Sequence, residues 1–272
     1  MSRRGFGVLC LALTAAAASG CAKPRLELPS GPAQPLADAA SVLDEAFRHC
    51  ADLRTISLEL GLSGRAGGEK VRGRLLAGLA APSSIRLEAV APFGQPAFIL
   101  AASESRSVLL LPRDDRVLHD APPEHILEAL AGLDVGPGDL LAFLAGCPGA
   151  APRPGSARGF DDSWAAVDLD DGAVAYMRRV DGWHLAAIVR SRLRVMFEQW
   201  NGTHPLEVRL QSPTTDDPGS FDLLLRLSQV ERNVPLPPEA FTVDVPPDAA
   251  PITLDELRRS GPMRDTAPDR TS

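Results

Sequence analysis

The residues that could carry covalent chemistry are few and scattered. The five histidines are His49, His119, His125, His184 and His204. No two have the spacing of the H-E-x-x-H zinc motif, and no G-x-S-x-G nucleophile elbow occurs. His49, Cys50 and Asp52 crowd together at the end of a predicted helix. Such a trio could activate a thiolate. Triad roles, however, need residues that converge in space, which three sequence neighbours do not supply. Asp161 and Asp162 are adjacent with no acid/base partner at a fixed spacing, and read as a solvated loop. The stretch GRAGG, residues 64–68, lies between two strand-like runs and reads as a hairpin turn, not a phosphate cradle. The three Trp and one Tyr form no spaced platform for sugars or bases. The expectation is therefore no catalytic residue, no metal, no cofactor and no enzymatic turnover, with a hydrolase as the distant rival.

Cys50 and Cys147 each end a candidate helix. Their separation in space is not readable from the sequence, so a disulfide and two free thiols both remain open. No cysteine pair has the close spacing of a structural zinc site.

Cys21 has a different setting. The chain begins MSRRGFGVLCLALTAAAASGC. Arg3 and Arg4 form a positive region, and Phe6 to Ala18 is apolar but too short to span a bilayer, as in a secretory signal. Ala18, Ser19 and Gly20 are small, and Cys21 follows at once. This resembles the lipobox of bacterial lipoproteins. The resemblance implies that Cys21 is lipidated and becomes the first residue, and that Ala22 directs the chain to the outer membrane. Residues 1–20 are then the signal peptide. Residues 21–35, with four prolines, read as a flexible tether. Two or more acyl chains make a lasting anchor where one does not. No later run is apolar for the roughly 20 residues that a spanning helix needs.

Net charge is −7, and −9 once Arg3 and Arg4 are removed. A negative surface without a basic cluster excludes nucleic acid as the expected partner. The short basic runs at 177–179 and 190–194 fall in alternating segments and read as solvated faces.

The rest of the chain must position whatever site exists. Leu36, Ala39, Ala40, Leu43 and Phe47 recur at helical spacing. From Arg54 the period becomes two: Ile56, Leu58, Leu60 and Leu62 share one face. Further alternating runs follow up to about residue 121. Two helices are predicted next, one with Ile126, Leu127 and Leu130 on a face, the other with Leu140, Leu141, Phe143 and Leu144. Residues 151–159 read as a loop. Asp171-Gly172, Asp181-Gly182 and Asn201-Gly202 then mark tight hairpins. The count is eleven or twelve antiparallel strands in one domain, residues 36–250. A short helix and a polar tail, 251–272, are expected to add little to the core. The fold class is mainly β (α+β): a wide curved antiparallel sheet or half-open barrel, its helices covering the concave side. That interior could be fully packed, or leave a groove.

With these parts in order, the chain resembles the LolB family of outer-membrane lipoproteins, which receive other lipoproteins and insert them in the membrane. The resemblance rests on the lipobox, on IRLEAVAPFGQPAFIL (residues 85–100), and on GLDVGPGDLLAFLAGCPG (residues 132–149). It covers roughly residues 40–235. Phe143 stands near an expected tryptophan, and the tryptophan expected in the early strands is absent. The resemblance implies a half-open barrel that takes acyl chains of lipoprotein cargo, with a periplasmic carrier as a further partner and a monomer facing the periplasm. Phe93, in the proline–glycine loop, would be a membrane-contacting tip; a Phe93 folded under the sheet is the rival. Face periodicity nominates Leu75, Leu87, Leu100, Leu111, Leu127 and Phe143 as cavity lining. The competing class is a structural envelope lipoprotein with a filled core and a protein partner.

Overall fold

The computed structural model describes residues 26–91, 94–104, 106–149, 153–214 and 219–260. The N-terminal half of the chain supplies β1 (Gln34–Pro35), β2 (Thr55–Ala66), β3 (Glu69–Ala80), β4 (Ser84–Val90), β5 (Ile99–Ser103), β6 (Arg106–Leu111) and β7 (Arg116–His119). The C-terminal half supplies β8 (Pro154–Asp161), β9 (Trp164–Leu169), β10 (Val174–Arg179), β11 (Trp183–Val189), β12 (Arg194–Asn201), β13 (His204–Gln211), β14 (Phe221–Arg232) and β15 (Ala250–Pro251). Four helices accompany them: α1 (Ala39–Phe47), α2 (Pro123–Ala131), α3 (Pro137–Leu144) and α4 (Leu254–Ser260).

All fifteen strands form one curved, unclosed sheet in the order β1-β8-β9-β10-β11-β12-β13-β14-β2-β3-β4-β5-β6-β7-β15. Every pairing is antiparallel except β15 with β7. The join between the two halves is β2 against β14, a long ladder from Ala66↔Phe221 to Ile56↔Arg232. Both free edges end in two-residue strands that close on proline, Pro35 and Pro251. Proline cannot donate to a further strand, so the edges resist sheet extension.

Alternation decides which face is buried. In β2 the residues Ile56, Leu58, Leu60 and Leu62 are buried while their neighbours are not. β4 repeats the pattern with Ile85, Leu87 and Ala89. These side chains join residues of α1, α2 and α3 in one apolar cluster. The helices therefore pack on the concave side, as two-layer burial requires. Apolar runs too dense for alternation, such as Leu185 to Ile188 in β11, are buried on both faces.

Three features depart from the sequence reading. The predicted tether ends inside the sheet, because Gln34 and Pro35 pair with Gly159 and Arg158. The predicted loop at 151–159 becomes β8 from Pro154 onward, a strand with bulges and no buried residue. Its Gly, Pro and Ser content hid it; its neighbours β1 and β9 hold it extended. The C-terminal segment does add to the core. Ile252 and Leu257 are buried in the main cluster. Thr253 and Glu256 form a capping box at the start of α4. The Thr253 N–H donates to Glu256 Oε2 at 2.8 Å and the Glu256 N–H to Thr253 Oγ1 at 3.2 Å. These Thr253 bonds, then the Arg116 guanidinium, pull the Glu256 carboxyl down to about 2. No helix among the described residues is long and apolar enough to cross a membrane.

Candidate functional site

The six residues nominated as cavity lining come together in space, but not as walls of an open groove. Leu87 pairs with Ala77 on one side and Leu100 on the other, and Leu100 pairs with Leu109. Leu75 and Leu111 belong to the same buried cluster, with Leu127 from α2 and Phe143 from α3. Phe143 and Leu100 have no exposed surface at all. The interior is plugged: Ile126, Leu127 and Leu130 from α2, and Leu140, Leu141, Phe143 and Leu144 from α3, are all buried against the sheet. Of the two interiors the sequence left open, fully packed or grooved, the structure has the packed one. The physical reason is the density of branched aliphatic residues on both helices, which fill the concavity together with Phe143.

Helix α3 is specified by its ends. Gly136 precedes it and Pro137 opens it, a position where a missing N–H costs nothing. Asp139 supplies a negative charge in its first turn. Beyond the helix, Gly146 adopts φ +74°, and the Cys147 N–H returns to the Ala142 carbonyl at 2.7 Å. A Cβ on Gly146 would sit 2.3 Å from the Trp200 ring. Only glycine satisfies both the backbone angle and that contact.

Two attachments hold α3 in the barrel. The first is Arg190, in the turn between β11 and β12. Its Nη1 donates to Asp139 Oδ2 at 3.0 Å, and its Nη2 to Asp171 Oδ2 at 3.3 Å and to the Pro148 carbonyl at 3.5 Å. Its guanidinium carbon lies 5.6 Å from the Phe143 ring centre. The sequence reading placed Arg190 on a solvated face. The structure turns it inward, because acceptors from α3 and from the β9–β10 turn meet there. Nothing in the local pattern signals this, since Asp139 and Asp171 are remote in sequence. The second attachment is a disulfide. Cys50 and Cys147 are bridged with Cα atoms 5.8 Å apart. The bond joins the 3-10 turn that follows α1, Arg48–Cys50, to Cys147, three residues past the end of α3.

The His49–Cys50–Asp52 grouping does not act as a nucleophilic centre here, because the Cys50 sulfur is committed to the bridge. The His49 ring and the two sulfurs lie within 4.8 Å of one another. With the sulfurs bonded to each other, they offer no thiolate to a metal. Instead His49 packs on an aromatic centre. Trp200 meets His49 edge-on at 5.6 Å, His184 at 5.5 Å and Phe197 at 6.3 Å between ring centres. Arg232 donates to the His49 carbonyl and, at 2.7 Å, to the Thr203 carbonyl. Burial pushes the His49 imidazole below its ordinary pKa, and the nearby Arg232 charge adds to this. His204 is lowered by the same two causes in the same order.

A pH dependence follows. Both imidazoles are held neutral by the fold, so the unfolded chain binds more protons than the native one below about pH 6.5. Their stabilising contribution is complete above that value and is lost as pH falls toward the depressed folded values. Thermal unfolding measured from pH 8 down to pH 5 should show Tm falling, and a variant with His49→Gln and His204→Gln should show a flatter profile. An unchanged slope in that variant would rule out these imidazoles as the source.

Cys21 and Phe93 lie outside the described residues. The loop that carries Phe93 is framed by β4 and β5. There the Ala89 N–H donates to the Phe98 carbonyl and the Ala97 N–H to the Ala89 carbonyl, both at 3.0 Å. Phe98, the other aromatic of that loop, is buried.

No protein-family model matches the chain, and a comparison with curated protein sequences finds no match. Solved structures do resemble it. A LolA superfamily protein from Nitrosomonas europaea superposes with TM-score 0.52 at 12% identity, covering 75% of this chain and 97% of that one. A Vibrio parahaemolyticus domain described as outer membrane lipoprotein-sorting gives TM-score 0.41 at 10% identity, covering 75% of this chain and 91% of its own. The lipoprotein LppX of Mycobacterium tuberculosis gives 0.31 at 10% identity, covering 72% and 96%. At such identities a likeness speaks for the fold, and the first of these carries it. The open curved sheet with helices set in its concave face has the LolA/LolB-type fold.

Proposed function

We propose that this protein is a non-enzymatic carrier or acceptor of acyl chains, anchored through a lipidated Cys21 at the inner leaflet of the outer membrane and facing the periplasm. At rest α2 and α3 fill the site; cargo acyl chains of a lipoprotein, handed over by a periplasmic carrier, take their place when the helices move aside. Leu75, Leu87, Leu100 and Leu111 would then line the exposed sheet face, and Leu127 and Phe143 the displaced wall. Phe93 would offer an apolar tip at the rim between β4 and β5. The observation that carries this reading is the plug itself. A wholly apolar interior is filled by two helices of nine and eight residues, too short to be stable alone.

The energies are commensurate. Each buried methylene of an acyl chain contributes about 0.8 kcal/mol, so a chain of roughly 16 carbons contributes about 12 kcal/mol. Each displaced Leu or Phe forfeits about 1.5–3 kcal/mol. Ligand and plug can therefore compete for one space, and direction is set by the difference between this site and the bilayer.

The test is titration of the delipidated chain with a fluorescent fatty acid and with a diacylated lipopeptide. Saturable binding near one to one is expected, with competition between the two ligands. An absence of saturable uptake would sink the carrier reading. The packed core favours one alternative: a structural envelope lipoprotein that binds a protein partner and carries no lipid. Crosslinking in intact envelopes would then recover one constant partner, while lipid exchange stays at background.

A further inference from the structure

The rim of the sheet at the β10–β11 turn carries a feature that the carrier site does not use. The turn between β10 and β11 presents Val180 at 76% exposure. Leu76, at 43%, is the other large hydrophobic residue so exposed among the described residues. Val180 has a cation on its N-terminal side twice over. The Arg178 guanidinium stands 5.8 Å from the Trp164 ring centre, and that of Arg179 stands 5.8 Å from Trp183. Arg178 pairs in register with Trp164 on β9 and with His184 on β11. The neighbouring Ala165, Met177 and Leu185 belong to the core, so Arg178, Trp164 and His184 face outward. Arg179 and Trp183 alternate with them and sit on the other face at the rim, with Trp183 partly buried against the core. The hairpin is fixed, not loose: the Val180 N–H donates to the Gly182 carbonyl at 3.0 Å, and the Trp183 N–H to Glu45 Oε1 of α1 at 3.2 Å. Glu27 and Glu198 line the same cleft as Arg178, and two further acids of this rim are engaged locally. Asp181 holds the His184 ring at 2.7 Å, and Asp161 accepts from the Ser163 N–H and hydroxyl, each at 2.7 Å.

The second observation is where the described chain begins. Leu26 and Glu27 line an open cleft of about 750 Å³ together with Trp164, Arg178 and Val180. Cys21 is five residues upstream, a distance that even a fully extended chain spans in at most about 18 Å. Strand direction places the β10–β11 and β12–β13 turns on one rim of the sheet. The β2–β3 turn and the β4–β5 loop with Phe93 open on the opposite rim.

We infer that the β10–β11 rim is a phospholipid-facing surface, an inference that rests on the Cys21 anchor of the carrier reading. Val180 enters the boundary between headgroups and acyl chains. Trp164 and Trp183 lie at the depth where indole rings gather at bilayer surfaces, and Arg178 and Arg179 hold phosphate diesters. On this inference the rim framed by β4 and β5 stands away from the bilayer, and membrane contact falls to the β10–β11 rim in place of Phe93.

The experiment uses the full acylated chain in phosphatidylethanolamine–phosphatidylglycerol vesicles whose acyl chains carry bromine, a quencher of tryptophan emission. Mass spectrometry first establishes the acyl group on Cys21. Quenching of about half the emission is expected, since Trp164 and Trp183 meet the interface while Trp200, deeper in the same cleft, is partly covered by His49, His184 and Phe197. The double variant Val180→Asp, Arg179→Glu should cut that quenching at least twofold, on the order of what loss of both anchors implies, with its near-ultraviolet circular dichroism unchanged. An acylated, vesicle-bound chain without quenching overturns the inference and leaves the anchor standing. So does a Phe93→Trp variant in which only the new tryptophan is quenched. An unmodified Cys21 removes the anchor, and this inference with it.

Discussion

Replacing Cys50 and Cys147 together by serine is expected to lower the unfolding free energy by about 4–5 kcal/mol, the loop-entropy value for a crosslink of roughly 100 residues. The two cysteines are separated by 97 positions, so the unfolded chain loses a large closed loop. For a domain of this length each 1 kcal/mol moves Tm by about 2–4 °C, which gives a fall on the order of 10–15 °C. Cys147 is almost fully buried, so the serine hydroxyl adds a small desolvation cost; a Cys→Ala pair separates the two effects. The consequence is local as well as global. The bond ties the 3-10 turn after α1 to Cys147, three residues past α3, so its loss releases the C-terminal end of the plug. Hydrogen exchange in residues 137–147 should rise more than exchange in β2 and β14. Scanning calorimetry of the oxidised chain, the reduced chain and the double variant reads the effect. Equal Tm values in all three would show that the crosslink does not stabilise the fold.

The sheet was legible because its signals are local. Period-two runs such as Ile56, Leu58, Leu60 and Leu62 need only their own segment, and the Asp-Gly and Asn-Gly pairs mark their turns by backbone chemistry alone. The segments misread are those defined by a neighbour. β8 has no apolar alternation and is extended because β9 and β1 hydrogen-bond to it. β1 and β15 are two residues each, below any periodic signal. Leu257 looked dispensable within a polar tail, yet the capping box of Thr253 and Glu256 starts a helix that puts it in the core. The same divide runs through the site. Face periodicity brought Leu75, Leu87, Leu100 and Leu111 onto one wall, and helical spacing aimed Leu127 and Phe143 at it. Whether wall and helices touch or leave a gap depends on side-chain volumes summed across the barrel, which no single segment reports. Arg190 was misplaced for a related reason. A guanidinium in a turn is solvated by default, and only the convergence of Asp139, Pro148 and Asp171 makes it a latch. Cys50 and Cys147 posed the same question of distance.

Arg190→Met is expected to tighten the apparent binding of a fluorescent fatty acid about tenfold. The argument starts from what Arg190 holds. Its pairs with Asp139 and Asp171 are partly exposed, with side chains between a quarter and under half accessible, so screening limits each to about 0.5–1 kcal/mol. The bond to the Pro148 carbonyl adds a similar increment. Its Nε is buried without a hydrogen-bond partner among the described residues, which offsets part of that gain. The latch thus holds α3 by on the order of 1–2 kcal/mol, and 1.4 kcal/mol is a factor of ten in the closed-to-open ratio. If cargo enters only when α3 has moved, every tenfold gain in the open population appears as a tenfold gain in apparent affinity. Methionine keeps an apolar stem and removes the charge, and with it the guanidinium's contact with the Phe143 ring. Tm should fall by a few degrees at most, on the scale of a 1–2 kcal/mol loss. Tighter binding with lower stability is a combination that a purely structural arginine does not produce. Affinity that stays constant, or weakens in step with Tm, would mean that α3 is a fixed part of the core and that the acyl chain, if bound at all, enters elsewhere.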